Sequence, residues 1–325
     1  MKKIIAFDYI RTISISCIIL CHCCFGIDDM FFLGAFLRNT FNVLFLILSA
    51  FLLGEKYQAD NFKPINSKSL AKRIQKLAYS YYPFIFIMFT FLYVTRHDIH
   101  IKDIVMHITF LPWFNKLEGF GHLWFITLIV FCYISIYIIT NMPSHIVNLC
   151  RNSKGVVSLL TIAIISQIII ESINCPNYLL IYIIAYILVF TNSNRILCYL
   201  NKISKATSII PIVIIIPIIF LYYNNKTNAY TSIWLGITSA IIIFQLLYKI
   251  FNGQQTNKIV TYISSISFEI YLVHHIFCFG KYSIYKIINN PVLGTITIFI
   301  ISFLLAYILN LIKKQIQHLS NTYFS

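Results

Sequence analysis

Three ionisable residues, Asp8, Arg11 and His22, lie within one apolar stretch, FDYIRTISISCIILCHCCF, running from Phe7 to Phe25. Histidine titrates near physiological pH and is suited to take a proton from a hydroxyl as a general base, with an acyl-histidine intermediate as a variant. Arginine supplies a fixed positive charge for an anionic group or for charge that develops during reaction. At 100° per residue, Arg11 and His22 fall within about 20° of one helical face and stand about 16 Å apart along the axis. Asp8 lies one turn before Arg11, within reach of an ion pair, and Ser14 is on the same side. Such a stripe must face protein or water, because an ionised side chain costs about 2.5–3.5 kcal/mol at the bilayer centre on insertion scales. A structural ion pair with a hydrogen-bonded histidine is the plainer alternative; three such groups on one stripe favour function.

The elements that would carry this stripe are set by composition. The 325 residues are 59% hydrophobic and 11% charged, with mean hydropathy +0.80, which indicates a polytopic membrane protein surrounded by lipid. The net charge of +15 would otherwise suggest nucleic acid, a partner that the apolar content excludes. A window of about 20 residues, the length that crosses a 30 Å core, predicts an all-α bundle of about ten spans. Their limits are 6–26, 35–54, 77–95, 122–140, 155–171, 178–192, 207–223, 231–248, 259–280 and 291–312. Pro211 and Pro217 predict a kink in the seventh. Arg11 interrupts the first span and no small-residue cleavage site follows, so it reads as a retained helix rather than a signal peptide. Most of the 25 Lys and Arg residues fall on one side, which places both termini in the cytoplasm and the protein, multi-pass, in the cytoplasmic membrane. Residues 1–325 read as a single membrane-embedded domain without a separate soluble one.

The nine cysteines are scattered and predict no disulfide framework. The run CHCC, Cys21 to Cys24, does not read as a metal site, because neighbours about 100° apart on a helix do not converge on one ion. The loop from Glu55 to Lys76 gathers Lys56, Lys63, Lys68, Lys72, Arg73 and Lys76 on the cytoplasmic side. Phosphates suit such a cluster, and so does ordinary positive-inside topology. The longest outer loop, Arg96 to Gly121, carries His97, His100, His107, Trp113 and Glu118 among apolar patches, and either lies along the membrane surface or caps a cavity; its histidines read as surface residues. In the ninth span Ser267, Tyr271 and His274 share a face with Ser264 at its edge. Glu269 points away from them and needs a partner, for which Arg11 is one candidate. His122 and Trp124 at a boundary read as interfacial anchors.

Taken together these segments resemble the acyltransferase-3 family of integral-membrane O-acyltransferases. The resemblance rests on Arg11, ten intervening residues and His22, preceded by Asp8; on NVLFLILSAFLLGEKY, with Ala50 where glycine is usual; on AKRIQKLAYSYYPF, with Lys76 where a second arginine is usual; and on GHLWFI and SSISFEIYLVHHIF. It implies transfer of an acyl group, usually acetyl from acetyl-CoA, to a hydroxyl of a cell-surface polysaccharide or lipid-linked glycan. On that basis His22, Arg11 and Asp8 are expected to be catalytic. Arg73, Lys72 and Lys76 are expected to bind the donor. Ser14, His122, Trp124, Ser267, Glu269, Tyr271 and His274 are expected to line the cavity or contact the acceptor, and no metal is implied. Some relatives carry an acidic residue shortly after the tryptophan motif; here FITLIVFCY follows Trp124.

Two other classes fit a multi-span chain. A transporter would suit intramembrane charges, but no repeat relates the two halves. A polysaccharide polymerase or exporter would be expected to carry a larger outer loop. A purely structural subunit leaves three ionisable groups in the first span without a purpose.

Overall fold

A computed structural model describes residues 4–27, 30–95, 98–117, 119–152, 155, 157–158, 161, 165, 179–202, 210–223, 229–278 and 280–323. Among these the chain is helical, with no strand. In order the helices are α1 (Ala6–Phe25), α2 (Phe31–Ala59), α3 (Ser67–Val94), α4 (Ile101–Ile108), α5 (Trp124–Thr140), α6 (Ser144–Arg151), α7 (Leu179–Thr191), α8 (Ser193–Lys202), α9 (Ile210–Tyr223), α10 (Ala229–Phe251), α11 (Lys258–Ser265), α12 (Ser267–Val273) and α13 (Pro291–Tyr323). Short 3-10 turns occupy Pro112–Phe114, Gly121–Leu123, His275–Phe277 and Ile284–Lys286.

Six helical segments are long and apolar enough to cross a membrane, and two bent pairs, α7 with α8 and α11 with α12, raise the number to eight among the described residues. The predicted fifth span, 155–171, lies almost wholly outside the described residues, as do His97 and Glu118. The predicted seventh contains α9, whose 14 described residues include Pro217, and the start of that predicted span lies outside the described residues.

The predicted ninth span, 259–280, is not one helix. It breaks at Ile266, and α11 and α12 meet at 55°. Serines cause a local competition here: Ser265 Oγ donates to the Tyr262 carbonyl at 2.7 Å and Ser267 Oγ to the Ser264 carbonyl at 2.9 Å, bonds that draw the backbone out of regular helix. Helix starts follow ordinary capping chemistry. The Asn66 side chain accepts from the Ser69 amide at the head of α3, and Asn257 accepts from the Ile259 and Val260 amides at the head of α11.

The bundle is organised on α1 and α2, which pack along their length; α7 and α10 also pack on α2, while α11 and α12 lie against α1. Two glycines set the closeness of these seams. A Cβ at Gly34 would come 2.9 Å from the Cys21 carbonyl oxygen of α1, and one at Gly236 would come 2.7 Å from the Asn39 carbonyl oxygen of α2. Both distances exclude any larger residue without backbone movement, the usual reason for glycine between membrane helices. The bundle's exterior is apolar: Phe86, Ile87 and Tyr93 on α3 and Ile300, Leu304 and Ile308 on α13 are exposed and suit a lipid surround.

Candidate functional site

The C-terminal end of α1 carries His22, and three further imidazoles meet it. His274, just beyond the last residue of α12, places Nε2 2.9 Å from His22 Nδ1. His275 opens the following 3-10 turn, its ring 4.6 Å from that of His22 and stacked at 4.4 Å on His122, which sits in the turn ahead of α5. The His122 and His274 rings are 5.3 Å apart. All four are buried; His22 is 7% exposed.

Backbone carbonyls assign the protons in this quartet. His274 Nδ1 faces the Tyr271 carbonyl at 2.9 Å and the Ile270 carbonyl at 3.2 Å, so the proton of a neutral ring sits there and Nε2 is an acceptor. His22 Nδ1 must therefore be the donor to it, sharing its hydrogen with the Ile18 carbonyl at 2.9 Å. The lone pair of His22 is then on Nε2. His275 Nδ1 donates to the Gly119 carbonyl at 2.7 Å and His122 Nε2 to the Leu272 carbonyl at 3.1 Å, which makes His275 Nε2 and His122 Nδ1 acceptors; the latter is buried without a partner. The Tyr271 hydroxyl donates to the His122 carbonyl, tying α12 to the head of α5.

Arg11 stands about 16 Å nearer the N-terminal end of the same helix. Its Nη1 donates to Ser264 Oγ at 3.4 Å, and that hydroxyl donates to Asp8 Oδ1 at 3.0 Å, while Thr261 Oγ1 donates to Asp8 Oδ2 at 3.4 Å. The last turn of α11 thus holds both charges, with Ser264 as the bridge. Tyr133 of α5 lies within electrostatic reach of Arg11 and also of Arg73 from α3. Ser49 links this face to Tyr186, whose hydroxyl is 3.1 Å away.

Below these arginines a cleft of about 560 Å3 opens between the end of α2 and the start of α3. Lys56, Lys63, Arg73, Asn66 and Ser69 line it, with Asp60. Arg73 is half-buried, and its Nε is shielded without a hydrogen-bond partner. Lys72 and Lys76, expected with Arg73 at the donor, are exposed and do not line the cleft, whereas Lys56 and Lys63 do.

The other expected residues divide. Tyr271 and His122 join the quartet. Ser14 and Ser267 are buried but turn their hydroxyls onto the Ile10 and Ser264 carbonyls. Trp124 packs edge-on against Trp113 at 5.3 Å and beside Tyr182, apart from the histidines. Glu269 is fully buried, and its partners are Lys313 at 2.7 Å and Ser80 at 2.6 Å, not Arg11. His107, expected on the surface, is buried with Nδ1 on the Asp103 carbonyl at 2.8 Å, because α4 presents that side to Phe89 of α3. Outside the spans, Asp103 is held below the usual carboxylate range by the Asn115 amide at 2.6 Å and the His100 backbone amide at 2.8 Å. Burial lowers His107 in the same loop.

His275 was not singled out from sequence. A helical wheel turns it about 100° from His274; the helix in fact ends at Val273, and the 3-10 turn brings both rings to His22. The doubled histidine in LVHHIF was the available signal. Among the described residues no three His, Cys, Asp or Glu side chains are placed to share a metal ion, and Cys21, Cys23, Cys24 and Cys278 are free thiols.

Comparison with protein families decides the class: the acyltransferase-3 model, an acyltransferase domain, matches residues 4–311. The chain belongs to that family. No curated protein and no solved structure matches the chain significantly. This acyltransferase is therefore a multi-span membrane protein whose quartet and arginine cluster sit at opposite ends of α1.

Proposed function

We propose that the acyltransferase moves acetyl from acetyl-CoA to a hydroxyl of a cell-surface polysaccharide or its lipid-linked precursor, with His22 as general base. In this reading the chain is one domain of about ten spans in the cytoplasmic membrane, with both termini in the cytoplasm. The observation that carries it is the His22–His274 hydrogen bond. It fixes the tautomer of His22 so that Nε2 has the lone pair, the requirement for removing a hydroxyl proton as oxygen attacks a thioester.

Distance separates the roles of the two charged groups. Arg11, about 16 Å from His22 along α1, is too remote to stabilise an oxyanion formed at His22. It acts along the arm of the donor, with Asp8 and Ser264 fixing its direction. Arg73, Lys56 and Lys63 in the cytoplasmic cleft suit the phosphates of coenzyme A, where a guanidinium binds bidentately and a lysine acts as a point charge. A donor with its thioester on a long flexible arm matches a cationic cleft at one end of the helix and a base at the other. His122, with a buried acceptor nitrogen, suits a second hydroxyl of the sugar.

The test is the surface-glycan composition, by mass spectrometry, of a host carrying the wild-type gene, the His22→Ala gene or neither. Ester acetate should appear with wild type alone, with both proteins equally abundant in the membrane. Full acetylation by His22→Ala would sink the mechanism, and an unaltered glycan with wild type would sink the acceptor assignment.

A further inference from the structure

We propose that His22 and His274 work as one proton-sharing pair, in which His274 holds the positive charge while acyl transfer is under way. The inference rests on the acyltransferase reading above and assigns His274 a task as a positioning residue, one that acts through His22. Its basis is the direct Nδ1 to Nε2 bond of 2.9 Å and the two carbonyls of Ile270 and Tyr271 on the far nitrogen of His274.

The proton movements close. As the acceptor hydroxyl attacks the thioester carbonyl, its proton goes to His22 Nε2, and the hydrogen on His22 Nδ1 passes to His274 Nε2. His22 is then neutral in its other tautomer, and His274 is an imidazolium. When the tetrahedral intermediate collapses, the carbon–sulfur bond breaks and the thiolate takes the proton from His22 Nε2; His274 returns its own to His22 Nδ1. The products are an ester and a free thiol, and both rings regain their starting tautomers.

The surroundings favour the charge on His274 over His22. An imidazolium in a buried place is costly unless its N–H groups are bonded. At His274 the Nδ1 hydrogen already faces two carbonyl oxygens at the C-terminal end of α12, the end of a helix that favours a cation. The rings around it are those of His22, His122, His275 and Tyr271, and the Cys278 thiol bonds to the His274 carbonyl. At His22, by contrast, one hydrogen is divided between Ile18 and His274.

Single-turnover acyl transfer in mixtures of H2O and D2O tests the pair directly. Wild type should give a rate that curves with deuterium fraction, as two protons move together. His274→Gln keeps an amide oxygen where Nε2 stood and so still orients His22, but it does not accept a proton. It should be slower by tenfold or more, give a straight line, and leave KM for donor and acceptor within twofold. A straight line for wild type, or His274→Gln turning over within twofold of wild type, would overturn the proposal. Acyl transfer that survives His22→Ala would instead overturn the acyltransferase mechanism beneath it, which separates the two failures.

Discussion

The two ends of α1 treat polarity in opposite ways. The C-terminal end gathers four imidazoles and satisfies most of their N–H groups with backbone carbonyls, so its chemistry lies in shared lone pairs. The N-terminal end keeps formal charges, Arg11 with Asp8, and holds them with hydroxyls from the broken helix. The difference matches what each end would handle in the proposed reaction. A proton moves best through groups that are neutral before and after, whereas a polyanion is bound by charge that does not titrate. On that proposal one 20-residue helix separates chemistry from binding by its length.

Exchange of residues across that divide sharpens the contrast. After the loss of activity expected for His22→Ala, the largest effect is expected for Arg11→Gln: about a 100-fold fall in kcat/KM, the upper range for one hydrogen bond to a charged group, divided between a higher donor KM and a lower kcat, unlike the change in kcat alone expected at His274. A fall confined to kcat would erase the distinction between the ends. Arg73→Ala should raise donor KM about tenfold, the value of one charge-assisted hydrogen bond, with kcat unchanged. Lys72→Ala and Lys76→Ala should do little in the same titration with acetyl-CoA. A larger effect from either lysine would move the donor out of the cleft.

The smallest effect concerns the loop between α3 and α5, which meets His275 through Gly119. Asp103 and His107 both have folded values below their usual ones. The unfolded loop therefore binds more protons, and stability is lost as pH falls. The loss begins near pH 6.5 as His107 leaves its usual range, and continues below about pH 4 as Asp103 does. Hydrogen exchange of residues 98–117, corrected for intrinsic rate, should quicken between pH 7.5 and 5.5. The neighbourhood of Arg11 should not change over that interval; equal protection at both values would contradict the assignment.

Much of this arrangement was legible in the sequence. The apolar runs mark α1, α2, α3 and α5, and spacing alone puts Arg11 and His22 on one stripe. Sequence did not give the partners, because those come from packing of distant segments. Glu269 finds Lys313 forty-four positions on, and Arg11 finds Ser264 across 253. The wheel also failed wherever a helix broke: Ser264 and Ser267 belong to different helices, and His275 lies past the end of one. In the basic loop, the pattern counts charges but not directions, so Lys72 and Lys76 looked equivalent to Arg73 although only Arg73 turns inward.

The glycine contacts along α2 have a mechanical consequence. With Gly34 against one neighbour's backbone and Gly236 bringing another just as near, α1, α2 and α10 have almost no freedom to slide. Any passage that widens to admit a substrate must be borne by helices outside this trio, leaving the spacing between guanidinium and imidazole as constant as a ruler.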